Sequence, residues 1–224
     1  MSVVARTAPL PRRRNLTRRL LRRAERARVP LTEAVARRLG AYVELLGRWN
    51  ARMNLTGLDL DDAGLDRLII EPLAARSQLP ATATLVDIGS GGGSPAIPLK
   101  LAVPDVALRM VEAKTRKAAF LREAVRQLEL DRTEVETHRY ERLLARPELH
   151  EAHDVLTLRA VRLEARVLRG LQAFVAPGGA MLLFRGGSGI DVPKDLQPPL
   201  VWEATVPLVE SLRSRLVVLR KLRI

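Results

Sequence analysis

The chain has 224 residues, 47% hydrophobic and 28% charged, which fits one medium-sized globular domain with an appendage and excludes collagen-like, coiled-coil and wholly disordered chains. Lys and Arg number 38 against 25 Asp and Glu, a net charge of +13 that points to a polyanionic partner and says nothing of fold. Two Trp, two Tyr and three Phe argue against reading single-stranded nucleic acid mainly by base stacking, and zero Cys removes disulfides, thiolate metal sites and thiol nucleophiles.

Residues 1–30 hold ten Arg and a single acid, Glu25, so most of the surplus charge is concentrated there. Leu16, Leu20, Leu21, Ala24 and Ala27 recur at helical spacing, with Arg18, Arg19, Arg22, Arg23 and Arg26 on the other faces. Two readings stand: a short basic helix that grips phosphates, or a solvated, partly disordered arm. Ser2 is the only serine of this stretch, a poor fit to a mitochondrial presequence; no secretory signal is expected, and no apolar run is long enough to span a membrane. A cytoplasmic, soluble protein is expected, without a membrane partner.

Over 33–53, Val35, Leu39, Tyr42, Leu46, Trp49 and Met53 keep one apolar stripe along a helix. A further helix is expected over 66–76, and Pro80 closes an N-terminal helical region of residues 31–80. From 81 to 224 the pattern changes to strands at 84–88, 107–112, 133–137, 154–159 and 180–185, alternating with helices near 97–102, 115–130, 141–146 and 163–175. Such crossovers build a parallel sheet covered on both faces, so the class is α/β. Pro177, Gly178 and Gly179 are expected to turn the chain into the fifth strand, and 201–207 with 214–219 to close it as a hairpin. Five parallel strands with a hairpin resemble the seven-strand, Rossmann-like sheet of class I S-adenosylmethionine-dependent methyltransferases.

The strongest local signal is Asp87-Ile88-Gly89-Ser90-Gly91-Gly92-Gly93-Ser94-Pro95, at the turn from the first strand into the first helix. Glycines let a ligand approach the backbone, and a helix start offers free N–H groups. A phosphate loop would end in Gly-Lys-Ser/Thr and this one does not; a dinucleotide loop fits loosely. The spacing of Asp87, Gly89, Gly91 and Gly93 resembles the first motif of the methyltransferases. Glu112, at the end of the second strand, then supplies a carboxylate able to accept ribose hydroxyls.

Methyl transfer from a sulfonium needs orientation and exclusion of water. The missing cysteine excludes the usual activation of pyrimidine carbon-5, and Thr157-Leu158-Arg159-Ala160-Val161 stands where exocyclic amino groups would require an Asn/Asp-Pro-Pro-aromatic loop. Guanine N7 needs no deprotonation before attack, and an Arg beside the ring can hydrogen-bond its edge. His150 and His153 lack the spacing of a metal motif, so no metal is expected.

Three stretches carry a more specific resemblance: Met53-Asn54-Leu55-Thr56, the glycine loop with Ala96-Ile97-Pro98-Leu99, and Arg116-Lys117-Ala118-Ala119-Phe120-Leu121. With His138-Arg139-Tyr140-Glu141, Leu158-Arg159-Ala160-Val161 and Leu216-Val217-Val218-Leu219, they resemble the bacterial ribosomal RNA small subunit methyltransferase G family, the glucose-inhibited division protein B family. The resemblance implies S-adenosyl-L-methionine as cofactor and methylation of a guanine N7 in 16S rRNA, with 16S rRNA or the small ribosomal subunit as partner. It implies cofactor contacts at Gly89, Ser94, Tyr140, Glu141 and Arg159, and gives Arg159 the task of positioning substrate or cofactor, with no general base. A monomer is expected. The chain departs from the family at Ser94, at Tyr140, in a longer 142–153 stretch, and at Leu68 and Pro72, where the family carries His and Ser. Rival expectations are another RNA site or a small molecule as acceptor, and a non-catalytic basic RNA-binding protein on the same fold.

Overall fold

In the computed structural model, which describes residues 13–159, 164–187 and 196–223, strand β1 (Thr84–Ile88) is buried on both sides. Leu85 enters a core with Leu108, Met110, Leu182 and Val218, whereas Val86 and Ile88 enter a second core with Val111, Leu156, Leu183 and Val217. That is the alternation of a strand between two covering layers. The remaining strands are β2 (Ala107–Val111), β3 (Thr133–Glu136), β4 (His153–Arg159), β5 (Val175–Arg185), β6 (Leu200–Pro207) and β7 (Arg215–Lys221). Their order is β3-β2-β1-β4-β5-β7-β6, parallel through β5, with β7 antiparallel to β5 and to β6. The winding reverses between β1 and β4, so a crevice opens at the carboxyl ends of those two strands.

Several boundaries differ from the sequence reading. β5 starts at Val175, and Pro177, Gly178 and Gly179 lie inside it as a bulge, with the register against β4 shifting between His153 and Val155. Tyr140–Leu143 (α7) is a single turn that stops short of residue 146, and α8 (Ala165–Leu171) is continued by a 3-10 turn, Gln172–Phe174. The expected start of that helix at Leu163 lies outside the described residues. Helix α6 (Thr115–Gln127) ends before 130 because Glu129 takes a positive φ of 49°.

Helix α1 (Arg13–Arg26) falls in the basic stretch, whose residues 1–12 lie outside the described residues. Leu16, Leu20 and Ala24 are buried in the same core as Leu85 and Val218, so one apolar cluster crosses the boundary expected at Pro80. Over 13–26, then, the solvated-arm reading is corrected to a packed helix. The next helix, α2 (Glu33–Met53), has the bounds its stripe predicts. Thr32 caps it by accepting from the Val35 N–H, and Asn54 ends it in the left-handed conformation. Its stripe packs against α1, α5 (Ala96–Ala102) and α6, with Trp49 edge-on to Phe120 at 5.8 Å between ring centroids.

Residues 62–78 form one bent helical run. It comprises α3 (Asp62–Leu65), a π-helical turn Asp66–Ile70, α4 (Glu71–Ala74) and a 3-10 turn Ala75–Gln78. Arg19 and Arg23 of α1 clasp its start: Arg19 Nε lies 2.6 Å from Asp62, Arg23 Nη1 2.9 Å from the same carboxylate, and Arg23 pairs again with Asp66.

Candidate active site

The glycine loop leaves β1 leaning on the end of β2, where the Val111 carbonyl accepts from the N–H groups of Gly89 (2.8 Å) and Ser90 (3.1 Å). Gly93 takes a φ of 89°, a conformation that calls for glycine, and a Cβ there would also have to displace the end of the Ile97 side chain, 2.5 Å away at Cδ1. The helix start that follows is a poorer donor set than expected. Pro95 and Pro98 have no N–H, and that of Ile97 is bonded to the Gly93 carbonyl at 2.7 Å. Ligand recognition therefore falls to the loop and its neighbours.

Those neighbours come partly from α2. Tyr42, fully buried, donates its hydroxyl to the Gly92 carbonyl at 2.6 Å, and its phenol is held well above the usual range by burial. A Cβ at Gly92 would meet Leu46 Cδ1 at 3.2 Å and the Leu55 carbonyl at 3.5 Å, and Lys117 Nζ bonds that carbonyl at 3.4 Å. The sequence reading placed Tyr42 in an apolar stripe and missed this tether, because a period gives a face and not a hydrogen-bond partner.

Glu112 follows β2 and is buried against the loop. One carboxylate oxygen accepts from the Gly91 N–H at 2.9 Å and the other from the Lys114 N–H at 2.8 Å. Each oxygen retains a second lone-pair direction for a hydroxyl. Tyr140 and Glu141 head α7 beyond β3. Tyr140 packs against the second core and its phenol is raised, first by desolvation and then by the Glu141 charge, while Glu141 is exposed. Neither hydrogen-bonds to the loop or to Glu112 among the described residues.

Asp87, Thr157, Arg159 and Phe184 all point to the face covered by the N-terminal helices, as the alternation of β1, β4 and β5 requires. Asp87 is 1% exposed; Thr157 Oγ1 donates to its Oδ1 at 2.7 Å, while Oδ2 has no partner. Desolvation raises its carboxyl, and the Thr157 hydrogen bond opposes the shift.

Arg159 occupies a built seat. Its Nη2 donates to Glu71 Oε2 at 2.9 Å, its Nη1 to Ser94 Oγ at 3.2 Å and to the Arg67 carbonyl, and its guanidinium lies 4.9 Å from the Phe184 ring centroid. Pro72 explains two of the acceptors in this seat. In the π-turn the Glu71 N–H bonds the Asp66 carbonyl, so the Arg67 carbonyl would need residue 72 as its donor. In α-helical register the Leu68 carbonyl would need residue 72 as well. Proline has no N–H, and the freed carbonyls are taken by Arg159 and by Ser94 Oγ, which donates to Leu68 at 2.8 Å. Ser94 thus faces the helical run, linking it to the arginine. Glu71 was not singled out from sequence; its carboxyl is raised by burial and pulled back by Arg159 and Arg67.

A seven-strand sheet that reverses between β1 and β4 and closes with an antiparallel hairpin, with a glycine loop after β1 and a carboxylate after β2, is the arrangement of the class I S-adenosylmethionine-dependent methyltransferases. Among solved structures the chain is similar in fold to a mutant of MtNAS in complex with S-adenosylmethionine, with a TM-score of 0.57, 18% identity and coverage of 85% of this chain and 79% of that one. The fibrillarin/Nop5p complex gives a TM-score of 0.53 at 14% identity, covering 67% and 80%. Residues 36–195 match the GidB family, rRNA small subunit methyltransferase G, and the chain belongs to that family. It is 34% identical over 166 residues to the ribosomal RNA small subunit methyltransferase G of Halorhodospira halophila, covering 73% of this chain and 76% of the relative. It is 31% identical over 195 residues to that of Neisseria meningitidis serogroup C, covering 85% and 91%. The protein is an S-adenosylmethionine-dependent rRNA methyltransferase. The residues present fit that cofactor: an unpartnered buried oxygen on Asp87 for a cationic ligand, a loop open at its glycines, and spare acceptor directions on Glu112.

Proposed function

We propose that the protein methylates N7 of a guanine in 16S rRNA, on naked RNA or the small ribosomal subunit, and works as a cytoplasmic monomer without a metal. The observation that carries this reading is that, among the described residues, every carboxylate at the carboxyl ends of β1, β2 and β4 is engaged, and the two oxygens left without a partner, Glu71 Oε1 and Asp87 Oδ2, are buried. Glu71 is ion-paired to Arg159, Asp87 is buried under Thr157, both oxygens of Glu112 hold backbone N–H groups, and the Tyr42 hydroxyl donates to Gly92. His150 bonds the Leu144 carbonyl, and His153, at the first residue of β4, bonds the Phe174 carbonyl at the far end of the sheet. An acceptor that must lose a proton before attack finds no exposed, unengaged carboxylate among these groups, and the exposed His138 lies beyond β3, whereas N7 already presents a lone pair.

The cofactor, when bound, supplies an electrophilic methyl on a sulfonium. The chain's own work is orientation. Glu112 takes up hydroxyls, the loop around Gly89, Gly91 and Gly93 admits the ligand to the backbone, and Tyr42 holds the loop in place. Tyr140 and Glu141 flank the adenosyl side, and Arg159, fixed by Glu71, Ser94 and the Arg67 carbonyl, faces donor or acceptor from the end of β4.

Labelled methyl transfer to intact small subunits, naked 16S rRNA and total tRNA, followed by cleavage at 7-methylguanine, tests the proposal. Label in 16S rRNA at a cleavable site is expected. Label only in tRNA, or only where that chemistry does not cleave, overturns it.

A further inference from the structure

Helix α1 carries arginines on two faces that do different things. Arg19 and Arg23 point inward and are neutralised by Asp62 and Asp66. Arg18, Arg22 and Arg26 are exposed at successive i, i+4 positions, and none makes a hydrogen bond or ion pair with a described residue. Like charges at that spacing disfavour a helix, the first turn holds no acid, and Glu25 is the only carboxylate within it. The outer row therefore contributes nothing to the fold that would account for it. Among its other described residues that reach solvent, Asn15 and Glu25 are polar and only the partly exposed Leu21 is apolar, so the face lacks the broad apolar centre of a protein–protein interface.

We infer that the outer face of α1, carrying Arg18, Arg22 and Arg26, is a docking surface for the phosphate backbone of the substrate RNA. The inference rests on the rRNA reading above and adds where the RNA is gripped. About 6 Å of rise separates successive arginines of the row, so three phosphates along one strand can be met together. The inner face sets the register of that grip to the reaction. Arg23 holds Asp66, Asp66 opens the π-turn, and the next carbonyl of that turn, Arg67, accepts from Arg159. RNA bound on the outer row thus has a short, packed connection to the arginine at the crevice.

The test uses full-length protein with 16S rRNA and with small subunits, measuring affinity from about 0.05 to 0.5 M salt. At roughly 0.7 counterions per neutralised phosphate on single-stranded RNA, R18Q/R22Q/R26Q should flatten the log–log salt slope by about 2 and weaken binding on the order of 100-fold near 0.1 M. Unchanged melting and cofactor affinity are expected, since the three side chains are exposed. R37Q/R126Q/R220Q removes equal charge from arginines already paired with Glu33, Glu123 and Glu203, and should keep most of the slope. Equal slopes for the two triple variants overturn the inference, as does a loss of binding to phosphatidylglycerol vesicles with RNA binding intact. The two readings fail separately: wild type that binds 16S rRNA through this row but methylates only tRNA refutes the function and leaves the surface.

Discussion

Replacing Arg159 with Met tests whether the arginine is a seated, half-hidden group. Its side chain is 15% exposed and that of Glu71 only 2%, and the variant leaves Glu71 with Arg67 Nη1 at 3.7 Å as its nearest cation. Stranding a buried carboxylate in this way costs about 3–5 kcal/mol. For a chain of this size that corresponds to roughly 6–20 °C in Tm. The sign of the pH dependence follows from Glu71, whose folded carboxyl lies above its ordinary value because of burial. The folded state then binds the proton more readily than the unfolded one, so stability falls as pH rises from the ordinary carboxylate value through the raised one. Losing Arg159 raises that carboxyl further, so the deficit should be largest near pH 8 and shrink toward about pH 5. Adding Glu71→Gln should recover about 2 kcal/mol of the loss, the coupling expected of groups in direct contact. Thermal melts of the four proteins at both pH values supply the measurement. A single variant within about 2 °C of wild type and indifferent to pH, or strict additivity in the pair, refutes the buried-pair account.

Asp87→Asn should weaken cofactor affinity at least about tenfold by calorimetry, roughly 1.4 kcal/mol, because the unpartnered Oδ2 loses its charge. Since burial raises the folded Asp87 carboxyl, the same variant should melt no lower than wild type at about pH 8 and lose the decline in stability with rising pH. Tyr42→Phe removes one buried hydrogen bond to Gly92, about 0.5–1.5 kcal/mol, and should raise the cofactor Kd several-fold while circular dichroism stays unchanged. Gly93→Ala meets both the 89° φ and the Ile97 side chain, and should abolish cofactor binding before it unfolds the protein. Leu20→Ala, fully buried on α1, should cost about 2–5 kcal/mol, whereas truncation of a solvated arm would cost nothing.

Much of this was legible along the chain. The spacing of Val35 through Met53 locates α2, because a helix records its buried face every three or four positions. The short β-rich runs at 84–88 and 107–112 locate β1 and, to within a residue, β2, and the glycines at 89, 91 and 93 announce a backbone that needs positive φ. Where local cues were ambiguous the reading erred. Pro177-Gly178-Gly179 suits a turn and a bulge equally, and only the pairing with β4 decides between them. A row of arginines suits a solvated arm and a packed helix equally, and Asp62 and Asp66, 39 to 43 positions away, decide in favour of the second.

The sequence by itself determined the class of chemistry: which elements form, where the glycine loop and its two carboxylates lie, and that no thiol exists. Tertiary structure alone decided the order of the strands, the reversal between β1 and β4 that opens the crevice, and the partners of Arg159. Glu71 and Arg159 stand 88 residues apart and Arg67 and Arg159 92 apart, a separation that no local period encodes. Pro72 joins the two levels: its missing N–H is a fact of sequence, yet which groups claim the carbonyls it frees depends on what the fold brings within reach.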